Sequence, residues 1–427
     1  MTENFQFVGP DDIDEAHEIC TLNPVSTRTG TVSGKETWSV AFTPDYSYFA
    51  WSSGRGIVRL IPWIRDDNTY DYRAFNEFVN KNNHRPSIHE ERSETEHKVI
   101  EYVCNSNVWS LAFGSSVSHK KLTNTQLGYR HYQHLDDDNI LMLAVGLHSG
   151  SIVLFNVFKR EKFTLIDHKL VVRSLAFAPD GSLTLVSACR DNTLKVWDVK
   201  DDGNMVCTLK GHKGWVHDCA FSPDGTYMAS VGARGAVFIW NMSNYKIVRK
   251  LVGHYHDAVN CQYSPDGGIL VTSSWDARAI AWDPSTGQKL LEFHHIYPPM
   301  DPVFAGGANN SFTRGLSISP NGHHFATLCE DGYLRIWSLL DNSDPIAIAL
   351  VEEPISCCFS PNGMVVAVGC RNGQVSFFVM PMSQNTSPKL QHLCRMAIRK
   401  TIPDSQLLLQ RLNIGWLARY LSYKQMK

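Results

Sequence analysis

The chain has 427 residues, 43% hydrophobic and 19% charged, with 29 Gly and 19 Pro, the make-up of a core-forming globular protein and not of a disordered or collagen-like one. Lys plus Arg number 40 against 42 Asp plus Glu, a formal net charge of -2, so no global basic field is present to hold nucleic acid. No apolar run reaches the ~18 residues of a membrane helix, the first residues lack the basic and apolar regions of a signal peptide, and the 11 cysteines include no Cys-x-x-Cys pair. These features predict a soluble cytoplasmic and/or nuclear protein with reduced thiols and no membrane or nucleic-acid partner.

In chain order, residues 1–30 form an N-terminal segment in which 17–22 is a candidate strand. A repeated unit then takes up 31–382. Its marker is a turn of the type Ser-Pro-Asp-Gly at 178–181, 222–225, 264–267, 319–322 and 360–363, with a weaker copy at 43–46. Pro presets φ at the second turn position and Gly accepts a positive φ at the end, so each copy closes a hairpin. An aromatic residue follows each turn: Trp63, Trp197, Trp240, Trp282, Trp337 and Phe378. Between Trp63 and Trp197 a further unit is recognised by the apolar runs 108–113 and 150–155, its turn replaced by a polar insertion over 115–139. A second polar excursion over 65–101 is too poor in apolar residues to order itself. The Pro- and Gly-rich stretch 295–312 lengthens one connection between units. Alternating or clustered apolar runs of four to five residues make the elements short antiparallel strands.

The turn prolines Pro179, Pro223, Pro265, Pro320 and Pro361 recur at a period near the ~40–45 residues of WD40 repeats. Gly211-His212, Gly253-His254, Trp197-Asp198 and Trp282-Asp283 resemble the Gly-His and Trp-Asp signatures of that family. The resemblance implies an all-β, seven-bladed β-propeller, in which a His, a hydroxyl residue, a turn Asp and the Trp tie the strands of a blade together. The matching residues are His168, Ser187, Asp191 and Trp197 in one blade and His254, Thr272, Asp276 and Trp282 in another. One blade departs, with Arg234 where the Asp belongs, and a looser turn is expected there. Ring closure needs one more strand on the last blade, and 17–22 is the candidate.

A catalytic reading of the His, Ser and Asp fails, because the constellation recurs at a fixed offset and one active site needs one triad. No phosphate loop, His-Glu-x-x-His or Gly-x-Ser-x-Gly occurs. His294-His295 and His323-His324 read as loop or edge residues and not as zinc ligands. No catalytic residue, cofactor site or metal site is expected.

After a linker at 383–387 the pattern changes to helical spacing. Leu390, Leu393, Cys394, Ala397 and Ile398 share one helix face, Ser387 and Pro388 suit its start, and Trp416, Leu417, Tyr420 and Leu421 share a later one. Forty residues are too few to bury these faces alone. The run Leu390-Gln-His-Leu-Cys394-Arg-Met-Ala-Ile398 looks like the elongin-binding element of a SOCS box, which places the small α-helical SOCS box at 388–427. The whole chain is similar to the WD repeat and SOCS box-containing proteins.

That resemblance implies a non-catalytic substrate receptor of an elongin–cullin–SOCS-box ubiquitin ligase. Elongin C and elongin B would meet Leu390, Leu393, Cys394 and Ile398, and a cullin would meet Leu412, Ile414, Leu417, Tyr420 and Leu421. The family's Leu-Pro-x-Pro segment is here Leu412-Asn-Ile-Gly415, without either proline, which weakens the case for the cullin. In WD40 propellers, positions such as Arg190, Trp215, Tyr255 and Trp275 open onto the top rim, and exposed Trp and Arg are favoured hot spots, so they are the candidates for holding a protein substrate. Ordinary packing between blades is the competing reading of these four. The competing function is a scaffold whose C-terminal helices dock on the propeller or another partner.

Overall fold

A computed structural model of the chain describes residues 14–16, 18–22, 36–45, 47–53, 55–63, 99–117, 140–295, 312–339 and 344–380. The tail residues singled out above, from Leu390 to Leu421, lie outside these, as does His17. Among the described residues, seven sheets follow one another, antiparallel but for one added edge strand. Two N-terminal strands, β1 (Asp14–Glu15) and β2 (Glu18–Leu22), precede them. Blade 1 is β3 (Val40–Phe42), β4 (Tyr48–Ser53), β5 (Ile57–Pro62) and β6 (Ile100–Val103). Blade 2 is β7 (Val108–Ser115), β8 (Leu141–Leu147), β9 (Ser151–Asn156) and β10 (Lys162–Ile166). Blade 3 comprises β11 (Val172–Phe177), β12 (Thr184–Cys189), β13 (Thr193–Asp198) and β14 (Asn204–Lys210). Blades 4 and 5 begin with β15 (Val216–Phe221) and β19 (Ala258–Tyr263), blade 6 with β23 (Thr313–Ile318) and blade 7 with β27 (Pro354–Phe359).

The middle strands explain the sheet stacking. Leu141–Leu147 and Val365–Cys370 are buried throughout, because blades pack on both faces of them. The outer strand of blade 4 alternates: Lys246–Leu251 reads exposed, intermediate, exposed, intermediate, exposed, buried, as one face meets water. The turns close as their residue types require. In blade 4 the Gly225 N–H donates to the Ser222 carbonyl at 2.8 Å, the Tyr227 N–H donates to Ser222 Oγ at 2.9 Å, and Gly225 takes φ of 76°. An added Cβ there would meet Pro179 of the preceding blade at 3.6 Å, so successive turns lie side by side.

Two loops begin or end differently from the expected bounds. Residues 100–103 form the outer strand of blade 1 and not the end of the 65–101 excursion; Tyr102 is buried and packs on Phe155 at 4.4 Å. Ser115 completes β7 before the insertion, and the Ser116 N–H bonds the Ile140 carbonyl across its base.

The ring closes through the N-terminus. Blade 7 supplies three strands of its own, β27, β28 (Val365–Cys370) and β29 (Val375–Val379), and β2 is its fourth, antiparallel to β29 with Leu22 opposite Val375. Leu22 is buried in the core shared with blade 1. β1 adds a parallel fifth strand to the outer edge of blade 6, with Asp14 opposite Ala347, which sequence reasoning did not anticipate. The Thr37 N–H donates to the Cys370 carbonyl at 3.0 Å, joining blades 1 and 7 near the axis.

Candidate functional site

The His, hydroxyl and Asp groups lie inside the blades. In blade 3, His168 bonds Asp191 through Nδ1 at 2.8 Å and Ser187 through Nε2 at 2.7 Å, and Trp197 Nε1–H donates to Ser187 Oγ at 2.9 Å. A proton on Nδ1 for the carboxylate leaves Nε2 to accept the Ser187 hydroxyl proton, and that oxygen then accepts the indole. The hydroxyl is spent and completely buried, so it is no nucleophile. Blade 5 repeats the chain with His254, Thr272, Asp276 and Trp282 at 3.1, 2.7 and 2.8 Å.

Blade 4 has only the inner part, His212 Nε2 to Ser230 at 2.7 Å and Trp240 Nε1–H to Ser230 at 2.8 Å, while His212 Nδ1 has no partner. Arg234 takes φ of 61° in a tightened turn, and its N–H donates to Asp257 Oδ1 at 2.9 Å instead. In blade 6, His295, at the bend just after the outer strand of blade 5, has a bracing role that its reading as a loop or edge residue did not include. Its Nδ1–H donates to the Ala277 carbonyl at 3.0 Å, its Nε2 meets Thr327 at 2.8 Å, and Trp337 donates to the same hydroxyl. The chain is cut off from its Gly-His signature, which is why the role was not legible.

Among the described residues one group could offer three metal ligands, His168, Cys189 and Asp191. Both imidazole nitrogens are already engaged, the Cys189 thiol donates to the Leu170 carbonyl, and burial pushes that thiol up to about 12. The group braces the turn and does not fit a cation.

Asp276, like Asp191, accepts four hydrogen bonds, and it alone of the two adds a guanidinium. It accepts from His254, from the Tyr255 N–H at 2.9 Å, and from the Arg278 N–H and guanidinium at 3.2 and 2.7 Å. Burial raises its pKa, but the His254 and Arg278 hydrogen bonds outweigh that and hold the carboxyl well below the usual range. Replacing it by Ala strands the partner charge and donors, a loss of about 3–5 kcal/mol. Thermal melting of Asp276→Ala is expected to fall by roughly 5–10 °C, with a smaller drop for Asp276→Asn.

Burial lowers His212, His295 and His324 to about 4 from an ordinary 6.5, with a neighbouring His or Arg charge adding to the effect in each. The unfolded chain takes up these protons before the folded one does. Stability from these groups is therefore full above pH 6.5 and lost as pH falls toward 4. Urea midpoints measured between pH 7.5 and 4.5 are expected to drop steadily, and His295→Gln should flatten part of the slope.

The surface feature of the molecule lies at one end of its axis. All inner strands start at this upper face, where the turns between second and third strands also lie. The inner strand of blades 2 to 7 carries a bulge at its second residue. A bulge leaves one residue unpaired and re-aims it. The six are Trp109, Arg173, His217, Val259, Arg314 and Ile355, and Trp38 holds the corresponding place in the sequence of blade 1.

Four of these seven, Trp38, Trp109, Arg173 and His217, join side chains from the neighbouring turns in a belt of rings and cations. Trp38 stacks on Trp109 at 4.2 Å. Trp109 Nε1–H donates to His148 Nδ1 at 3.1 Å, and Arg173 lies over its ring at 4.9 Å. Arg190, from the turn of blade 3, bridges Trp109 and Trp215 at 5.3 and 4.6 Å. Trp215 contacts His217 edge-on, His217 contacts Trp275 at 5.4 Å, and Trp275 continues to His256 and Phe312. Three of the four rim candidates, Arg190, Trp215 and Trp275, thus fall in one belt. Tyr255 does not join it; it is exposed and stacks on Arg278 at 4.1 Å. Arg173 was missed because in the run Val171-Val-Arg-Ser-Leu175 it reads as an ordinary strand residue.

Fold and repeat together define a WD-repeat propeller: residues 159–198, 203–241, 245–283, 303–338 and 352–378 match the family described as WD domain, G-beta repeat. The chain is 44% identical to the human WD repeat and SOCS box-containing protein 1 over 395 residues, 92% of each chain. The zebrafish (Danio rerio) protein of that name is 42% identical over 424 residues, 98% of each, and the Xenopus tropicalis one 42% identical over 404 residues, 94% of each. The chain belongs to the WD repeat and SOCS box-containing proteins. No helix among the described residues is long and apolar enough to cross a membrane.

Proposed function

We propose that this chain is the substrate-recognition subunit of an elongin–cullin–SOCS-box ubiquitin ligase, non-catalytic in itself. The observation that carries the reading is the end-to-end match to a family named for both modules. With 98% of the chain aligned to the zebrafish relative, most of the last forty residues fall inside the match, and with them the Leu390-to-Ile398 run.

The propeller holds a target protein and the tail couples it to the ubiquitin-transfer machinery through elongin C and elongin B. Proximity raises the effective concentration of target lysines near a loaded conjugating enzyme, so the chain needs no nucleophile. The buried hydroxyls and high-pKa thiols of the blades are consistent with that division of labour. Copurification tests it: elongin B and elongin C are expected to come down with the full chain, and their absence overturns the reading.

Leu412, Ile414, Leu417, Tyr420 and Leu421 are assigned to the cullin. The segment Leu412-Asn-Ile-Gly415 lacks the prolines that hold it extended cheaply. Asn413→Pro with Gly415→Pro is expected to tighten cullin binding by about 0.4–1 kcal/mol per proline, read by titration of the elongin-bound chain with the cullin.

A further inference from the structure

Among the described residues four arginines carry carboxylate partners: Arg59 with Glu101, Arg278 with Asp276 and Glu292, Arg314 with Glu330, and Arg335 with Asp331. Arg173 and Arg190 do not. Their Nε atoms are buried without a hydrogen bond, and the contacts they make are with the indoles of Trp109 and Trp215. The nearby acids are spoken for. Asp218 accepts from the Cys219 and Cys261 N–H groups at 2.9 Å each, Asp257 from His217 and the Arg234 N–H, and Glu330 from Arg314. Burial, with Arg190 and Arg314 close by, lowers Arg173 to about 10 although the Asp218 carboxylate pulls the other way, and it stays charged near neutrality.

Stacking occupies the faces of a guanidinium and the covered Nε leaves the terminal Nη donors for an acceptor, the geometry that suits a planar or tetrahedral oxyanion. Trp215 is 44% exposed beside it, a surface for an apolar neighbour of the anion.

We propose that the upper mouth reads an oxyanionic side chain on an extended segment of the captured protein, with Arg173 and Arg190 holding the oxyanion and Trp215 taking the adjacent apolar residue. This deepens the substrate-receptor reading and rests on it for the identity of the captured protein. The oxyanion is a carboxylate of Asp or Glu or the phosphate of a modified Ser, and the test separates the two.

The probes are fluorescent 12-residue peptide libraries with randomised flanks and a central residue fixed as Glu, phosphoserine, Gln, Ser or Lys, titrated against the full chain. Binding of the Glu or the phosphoserine set at least ~10-fold above the Gln, Ser and Lys sets is expected, the span of a charge-assisted hydrogen bond. Whichever of the two leads identifies the source. Arg173→Gln and Arg190→Gln, each melting like the parent, are expected to remove that preference, and Trp215→Ala to weaken binding of every set. Equal or better binding of Gln, Ser or Lys peptides, no binding of any set, or an acidic preference that survives both Gln variants overturns the proposal. Elongin capture is scored on the same preparations, so its loss beside a kept acidic preference sinks the ligase reading alone, and the reverse sinks this one alone.

Discussion

Removal of residues 1–25 is expected to destabilise the whole ring. Blade 7 has three strands of its own, and β2 supplies the fourth by pairing Glu18 to Leu22 with Phe378 to Val375. Burial of Leu22 is worth about 2 kcal/mol, each strand hydrogen bond about 1 kcal/mol, and β1 adds the Ala16 N–H bond to the Ile348 carbonyl at 2.9 Å. Against a typical margin of about 5–15 kcal/mol, their joint loss is decisive. It also bares the edge of Val375-Ser-Phe-Phe-Val379, an apolar strand free to pair with another copy. The truncated chain should aggregate on heating and melt at least roughly 10 °C lower. A synthetic peptide of residues 12–24 added in trans should restore part of the transition. Melting within 2 °C of the parent would show that the closing strand is dispensable.

The other large effect belongs to the tail. On the ligase reading, Leu390 and Cys394 are the anchors that enter an apolar pocket of elongin C, with Leu393 and Ile398 beside them. Truncating such anchors typically costs ~2–4 kcal/mol each, on the order of a 30- to 1000-fold loss. The Leu390→Ala, Cys394→Ala double variant should therefore lose elongin B and elongin C on copurification while the propeller melts unchanged. Undiminished capture by the double variant would leave the scaffold reading in possession.

The ring of seven units was legible because its turns are built from residues with few alternatives. Pro at the second position and Gly at the end leave one conformation, and the period followed from counting them. The two complete bracing chains were legible for the same reason, since His168 and His254 sit beside Gly or Asp signatures. Other features depend on contacts that no local pattern records. His295 reaches Thr327 across thirty-two positions, and Arg173 is an unremarkable letter in a strand until a bulge turns it toward the mouth. The belt exists only once the blades are brought into a circle: Trp38, Trp109, Trp215 and Trp275 are far apart in sequence, and the sequence alone ranked two of them as rim residues without the stack that joins them. Tyr255 shows the converse, a residue in the right turn whose ring is claimed by Arg278.

The direction in which the last blade ends has a consequence for reach. Its third strand starts from the turn at the upper mouth and descends, so the chain leaves the described fold at Met380 on the far side of the disc from Arg173 and Arg190. A five-residue strand is roughly 17 Å long, and at least that thickness stands between a captured segment and the point from which the tail departs. If the two ends of the molecule do the jobs proposed for them, a target gripped by a tight, self-contained motif would offer its lysines to empty solvent. The targets best served are those whose grip is followed by a long loose stretch able to hang over the rim.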